Sequence, residues 1–280
     1  MLRQLIVLAF CVALFAAGMP VQAQTAERTP PAPVLSARSA IVVDAEGHIL
    51  YQRDAEKPLP NASTTKVLTA LTVLDAVPLE DIVTISALAA RMPASRLGVR
   101  AGERYTVLEL LYAMLLMSAN DASVALAEHV GGSQERFAQM MNQKARSLGA
   151  TGTHFVTPNG LHAAGHLTTA RDLALMFRVA MAHPVFVAIA QTPSVDLAWP
   201  GQHEPHHVKN TNRLLDAYGT PVLGKTGFTN AAGRCYVGAA QDSMLTVVML
   251  GSRNLWRDAR RLFDWGFQTR GIRPPGRPQG

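Results

Sequence analysis

The chain has 280 residues, 48% of them hydrophobic, and a formal net charge of +6. That length suits one large domain or two small ones with a sizeable core, and with only two cysteines the fold must hold by packing, not disulfides. The basic balance suits acidic surroundings, while the lack of any Lys/Arg-rich run or aromatic–basic motif disfavours nucleic acid.

Residues 1–23 combine Arg3, the apolar run "LIVLAFCVALFAAG" and the small-x-small tripeptide ending at Ala23. This is the pattern of a secretory signal peptide, with cleavage expected near Ala23 and the mature protein exported. The apolar run is shorter than the ~20 residues of a spanning helix, so a stable membrane anchor is the weaker reading. Cys11 leaves with the signal, and Cys235 alone cannot form an intramolecular disulfide. Residues 24–35 read as a Pro-rich, disordered linker.

From Ser36 the pattern turns regular. "SARSAIVVDAEGHILYQRDA" reads as two strands around an Asp-Ala-Glu-Gly turn. "NASTTKVLTALTVLDA" (61–76) reads as an apolar helix, and 80–105 shows no firm period. "TVLELLYAMLLM" (106–117) is a buried helix opened by Thr106 and Glu109 at capping-box spacing. Two further helices each end at glycine, over 121–132 and 133–149, and another follows Thr169, with Asp172 at capping-box spacing. Strands return in "TPVLGKTGFT", "GRCYVGAAQ" and "MLTVVMLGS", then a closing helix over 257–268 and a disordered tail at 271–280. Strands at both ends with helices between predict an α/β (α+β) domain over 36–270, one mostly antiparallel sheet covered by helices.

Three short pieces carry polar groups that packing does not require. In Ser63-Thr64-Thr65-Lys66, serine and lysine are neighbours on one helix face. A serine hydroxyl is a poor nucleophile until a base takes its proton. Lysine serves as that base only when burial or a nearby cation lowers its pKa, and arginine cannot serve at all. Of the 26 basic residues, 21 are arginine and five are lysine, so Lys66 in this position is informative. Ser118-Ala119-Asn120 follows a buried helix, and Lys225-Thr226-Gly227 opens a strand, where Lys225 is a second cation and Gly227 admits a close backbone approach. The bland alternatives are a helix cap, a snorkelling lysine, a helix terminator and a solvated strand end. Each piece alone is weak; all three in this order are not.

The trio S-x-x-K, S-x-N and K-T-G resembles the serine penicillin-recognising enzymes. "NASTTKVLTAL", "LLMSANDASVALAE", "FVTPNGLH", "LTTARDLA" and "GKTGFTNAAGRC" are similar to the low-molecular-mass D-alanyl-D-alanine peptidases over about residues 36–268. The resemblance implies a β-lactamase/transpeptidase-like fold with an all-helical subdomain. It also implies a periplasmic hydrolase acting on peptidoglycan stem peptides, with β-lactams as covalent inhibitors and no cofactor or metal. Ser63 is then the acylated nucleophile, Lys66 its base and Ser118 a proton relay. Asn120, Lys225, Thr226 and Gly227 would bind substrate, and the N–H groups of Ser63 and Phe228 would form the oxyanion hole. Some relatives carry arginine where this chain has Thr211, which puts recognition of a free carboxylate in doubt. With the "KTGFTNAAGRC" segment and the short C-terminus, this favours an endopeptidase that cuts cross-bridges over a carboxypeptidase that removes terminal D-Ala. A β-lactamase of the commonest class would need an E-x-x-L-N loop, absent here. A metallopeptidase would need "HEPHH" (203–207) or His162 with His166, which read instead as surface-loop histidines. A non-catalytic penicillin sensor is the remaining alternative.

Overall fold

In the computed structural model, residues 30–197 and 205–272 are described. The expected signal peptide, residues 24–29 of the linker and residues 273–280 of the tail lie outside them. Strand β1 (Ser39–Val43) turns into β2 (Ile49–Arg53) through Gly47, whose φ of 98° favours glycine. A 3-10 turn (Ala62–Thr65) then runs into α1 (Lys66–Ala76). Strands β3 (Ile82–Thr84) and β4 (Arg104–Thr106) pair with each other. Helices α2 (Val107–Leu116), α3 (Asn120–Gly131), α4 (Gln134–Ser147), α5 (Ala170–Met181) and α6 (Pro184–Ala190) follow. Strands β5 (Ser194–Leu197) and β6 (His206–Lys209) make a second small pair, before β7 (Val222–Thr229), β8 (Gly233–Ala240), β9 (Thr246–Ser252) and α7 (Leu255–Thr269).

The main sheet is fully antiparallel in the order β2-β1-β9-β8-β7, so the two N-terminal strands join the three C-terminal ones through the β1–β9 ladder. Its central strands are apolar at nearly every position because both faces are covered. Ile41, Val237, Val248 and Leu250 point into the layer of α1 to α6, whereas Val42, Tyr236, Val247 and Met249 pack with Leu262, Phe263 and Phe267 of α7. The α+β expectation, with a helical layer and an antiparallel sheet, is borne out.

Local signals account for most of the helix boundaries. Thr106 and Glu109 form the reciprocal capping box of α2, and Thr169 caps α5 by accepting from the Asp172 N–H. Gly132, with φ 75°, terminates α3. The 61–76 segment is not one uniform helix, since its first turn is 3-10 and Lys66 begins the α-helix. Helix α6 and the β3–β4 and β5–β6 pairs are short pieces that periodicity does not reveal. Pro184 opens α6 after a bend of 101° from α5. No single helix among the described residues is long and apolar enough to cross a membrane.

Residues 30–35, expected as disordered linker, lie against α7. The Trp265 indole N–H donates to the Pro30 carbonyl at 3.1 Å, the Arg261 guanidinium donates to the Val34 carbonyl at 2.7 Å, and Leu35 is buried. Cys235 is also buried, and burial pushes its thiol up to about 12, so it stays protonated and inert.

Leu110, on α2, is fully buried in the core that α1 to α6 share. Leu110→Ala should destabilise the fold by about 2–5 kcal/mol through lost burial and a residual cavity. The urea unfolding midpoint checks this: it should fall with the slope unchanged.

Candidate active site

The 3-10 turn presents Ser63 half-buried at the floor of a cleft of about 710 Å³. Ala62 before it has φ 50°, left-handed backbone that a non-glycine residue adopts only when its surroundings hold it. The holding contacts are local. The Asn61 side-chain amide donates to the hydroxyls of Thr64 at 2.9 Å and Thr65 at 3.0 Å, and those hydroxyls donate back to the Asn61 and Ala62 carbonyls. On the far side, a Cβ at Gly160 would stand 2.0 Å from the Ala62 carbonyl oxygen, so only glycine lets this loop close on the turn.

Lys66 is fully buried, and its Nζ has three partners. It lies 2.8 Å from Asn120 Oδ1, 2.8 Å from the Asn159 carbonyl oxygen and 2.9 Å from Ser63 Oγ. Two of these accept only. The carbonyl of Asn159 has no proton, and the Asn120 amide is oriented by its Nδ2, which donates to the Pro93 carbonyl at 3.0 Å. A neutral amine has two N–H groups and one lone pair. In that form the two carbonyls can take the N–H groups, which leaves the lone pair for the serine hydroxyl; the hydroxyl itself also lies 3.4 Å from the Asn159 carbonyl. Burial holds the Lys66 pKa well below its ordinary value; the Lys225 cation lowers it further, and Asp121 acts the other way. Part of the Asp121 charge is engaged by the N–H groups of Leu97 and Gly98, at 2.9 and 2.8 Å. An amine in this setting can take the Ser63 proton.

Lys225, on β7, is the second buried lysine. Its Nζ donates to Ser118 Oγ at 2.9 Å and to the Thr226 carbonyl at 3.0 Å, and burial lowers its pKa to about 7. Ser118 sits between α2 and α3 with φ 70°, again strained backbone beside the polar cluster.

Ser118, Asn120, Thr226, Gly227 and Phe228 all line the cleft with Ser63, above the buried pair Lys66 and Lys225. The structure therefore brings together every site residue expected from the sequence. Strand β7 is an edge strand, and it runs past the nucleophile's turn so closely that a Cβ at Gly227 would be 2.9 Å from the Ser63 backbone nitrogen. Thr211 stands beside Thr226, their hydroxyls 3.3 Å apart. Lys209, Arg213 and Arg234 also line the cleft; Arg234 lies over the Phe228 ring and Arg213 over Trp256.

Two residues were not singled out from sequence. Asn159 binds Lys66 through its backbone carbonyl, which no side-chain motif encodes; only its place in "TPNGL" hints at it. His166 is a correction. It is not a surface histidine but is buried, stacked on Phe155 at 5.0 Å and within 2.8 Å of Thr65 Oγ1. His162 is exposed, as expected. Of "HEPHH", residues 203 and 204 lie outside the described residues, His206 is hydrogen-bonded to the Tyr105 hydroxyl, and His207 pairs with Asp196 on the surface.

The chain has only five lysines, so lysine-selective labelling gives five side-chain resonances in a pH titration. Two of them should titrate early, Lys225 with a midpoint of about 7 and Lys66 well under its ordinary 10.5. Five midpoints near 10.5 would contradict this electrostatic picture.

Comparison with known proteins identifies the family. The family model for D-alanyl-D-alanine carboxypeptidase, peptidase S11, matches residues 24–253. The chain is 40% identical to the D-alanyl-D-alanine carboxypeptidase DacB2 of Mycobacterium tuberculosis, over 85% of this chain and 84% of that protein. It is 32% identical to a D-alanyl-D-alanine endopeptidase of Pseudomonas aeruginosa, over 89% of this chain and 80% of the relative. A crystal structure of a D-alanyl-D-alanine carboxypeptidase from M. tuberculosis superposes with a TM-score of 0.80 at 38% identity, covering 90% of this chain and 96% of the other. A matched family model, relatives of similar length and a shared fold lead to one conclusion: the chain belongs to peptidase S11, the D-alanyl-D-alanine carboxypeptidase family of low-molecular-mass penicillin-binding hydrolases.

Proposed function

We propose that the protein is an exported serine D,D-peptidase that hydrolyses D-Ala-D-Ala-type bonds of peptidoglycan stem peptides through an acyl-enzyme on Ser63. The observation that carries this reading is the geometry at Lys66 Nζ, 2.8 Å from two carbonyl oxygens and 2.9 Å from Ser63 Oγ. Lys66 takes the hydroxyl proton as Oγ attacks the substrate carbonyl. The N–H groups of Ser63 and Phe228 stabilise the oxyanion. As the C–N bond breaks, the proton taken by Lys66 passes through Ser118, which Lys225 holds, to the departing amine, and Lys66 is again a free base. Water then attacks the acyl-enzyme by the same base, releasing product and restoring Ser63. The extended substrate lies along the edge of β7, with Asn120 on its amide and Thr226 toward its carboxylate side. The signal pattern at 1–23 supports export to the periplasm, where this polymer lies.

Which bond is cut turns on the rim of the cleft. The endopeptidase expectation rests on the "KTGFTNAAGRC" segment and in part on Thr211 standing where some relatives have arginine. Lys209, Arg213 and Arg234 line the same cleft and supply cations for a terminal carboxylate. We therefore rank removal of terminal D-Ala first. Cleavage of cross-bridges is the second reading, favoured by the cleft volume of about 710 Å³ and by a relative named as an endopeptidase. Release of D-Ala from a monomeric pentapeptide, with cross-linked dimeric muropeptide left intact, is the expected result; cleavage of the dimer alone would reverse the ranking.

Penicillin should add one drug mass to the mature protein, and Ser63→Ala should abolish the shift; an adduct that persists in Ser63→Ala would move the nucleophile elsewhere. Lys66→Arg conserves charge but not basicity, so its acylation rate should drop by about 10²-fold or more. Substantial activity in Lys66→Arg would reduce Lys66 to an electrostatic support.

A further inference from the structure

His166 belongs to no motif in the site, yet it touches both pieces of backbone that build it. Its Nδ1 accepts from the backbone N–H groups of Val156 at 3.0 Å and Thr157 at 3.3 Å, at the start of the loop that ends in Asn159 and Gly160. With Nδ1 an acceptor twice over, the ring proton sits on Nε2 and is donated to Thr65 Oγ1 at 2.8 Å. The Thr65 hydroxyl has its own proton on the Ala62 carbonyl, in the turn that carries Ser63. Stacking on Phe155 fixes the plane of the ring, and burial keeps the imidazole neutral, with a pKa lowered to about 4.

We infer that His166 is a positioning residue for the acylation step: it clamps the Ser63 turn to the Asn159 loop and so sets the lone pair of Lys66 on the serine hydroxyl. The inference rests on the Ser63–Lys66 reading proposed above. Its geometric content is specific. Thr65 is the residue immediately before Lys66, and the Asn159 carbonyl is one of the two acceptors that orient the amine. If turn and loop separate, Lys66 loses the acceptor that aims it, although neither Ser63 nor Lys66 has changed. Gly160 serves the same closure, because any side chain there would meet the Ala62 carbonyl and the Thr65 hydroxyl, at 2.0 and 2.9 Å from its Cβ. The cleft is lined by β7 and the Ser118 segment, to which His166 makes no hydrogen bond, and on the clamped side by Ser63 and Leu161. Loss of the clamp should therefore slow the chemical step and leave initial binding alone.

The test is rapid-mixing kinetics of a chromogenic β-lactam, which separates the non-covalent dissociation constant from the limiting acylation rate. In His166→Ala the rate should fall by about 10- to 100-fold, the size expected of a misaligned reacting pair, with the dissociation constant unchanged. In His166→Gln the amide offers one donor and one acceptor, and the rate should return to within about threefold of wild type. Thr65→Val keeps the shape but removes the hydroxyl, and should resemble His166→Ala. A folded His166→Ala or Thr65→Val that acylates at the wild-type rate overturns the inference, as does a loss confined to the dissociation constant. If His166→Ala yields no folded protein, Thr65→Val and His166→Gln decide in the same terms. Failure of wild type to form any Ser63 adduct would instead remove the underlying reading, a separate result from wild type and variant reacting alike.

Discussion

One buried amine organises this protein. A lysine ammonium costs several kcal/mol to bury without a counter-charge, and Lys66 has carbonyls, a hydroxyl and the Lys225 cation as neighbours, with Asp121 the acidic group that acts on it. The fold favours the neutral amine through burial, and a neutral amine in this cage has one lone pair and one place to direct it. Burial and the Lys225 cation act in that direction, and Asp121 acts against them. The arrangement explains why lysine occupies this position in a chain that otherwise uses arginine about four times as often. A guanidinium would remain charged and would have no lone pair to offer.

The rest of the structure is the scaffolding that this cage needs. α1 brings Lys66 up from the core, α3 begins at Asn120 and supplies one acceptor, and the loop before α5 supplies the other from Asn159. β7 brings the second lysine from the opposite side, and it reaches the site because the edge of the sheet closes over the Ser63 turn at Gly227. Two left-handed non-glycine residues, Ala62 and Ser118, flank the cluster. Each costs on the order of 1–2 kcal/mol of backbone strain, which the hydrogen bonds of Asn61, Thr65 and Lys225 around them help to offset.

Much of this was legible from residues alone. Strands β1, β2 and β7 to β9 announce themselves by apolar runs between turn residues, and α2 and α5 by their caps at Thr106 and Thr169. The three polar triplets were visible because side-chain chemistry is written in residue types. What stayed hidden was chemistry carried by backbone or by tertiary contact. The Asn159 carbonyl has no signature of its own, since every residue has one. His166 looked like a loop histidine because its partners, Thr65 and the Val156 and Thr157 N–H groups, are distant in sequence or belong to the main chain. The short α6 and the two small strand pairs are set by packing against the helical layer, not by their own periodicity. The segment 30–35, polar and Pro-rich, is ordered by Trp265 and Arg261 of α7 more than 220 residues away.

The central claim is that the two buried lysines are coupled, so that Lys225 helps hold Lys66 in its basic form. The most direct measurement is the pH profile of the limiting acylation rate by a β-lactam, in wild type and in Lys225→Met. Removing a neighbouring positive charge favours the protonated form of Lys66 and raises its pKa. Wild type should therefore show its rising limb well below pH 10.5, and Lys225→Met should show the limb displaced to higher pH, whatever the change in absolute rate. A limb that stays in place when Lys225 is removed, or one already at the ordinary lysine value in wild type, would contradict the account.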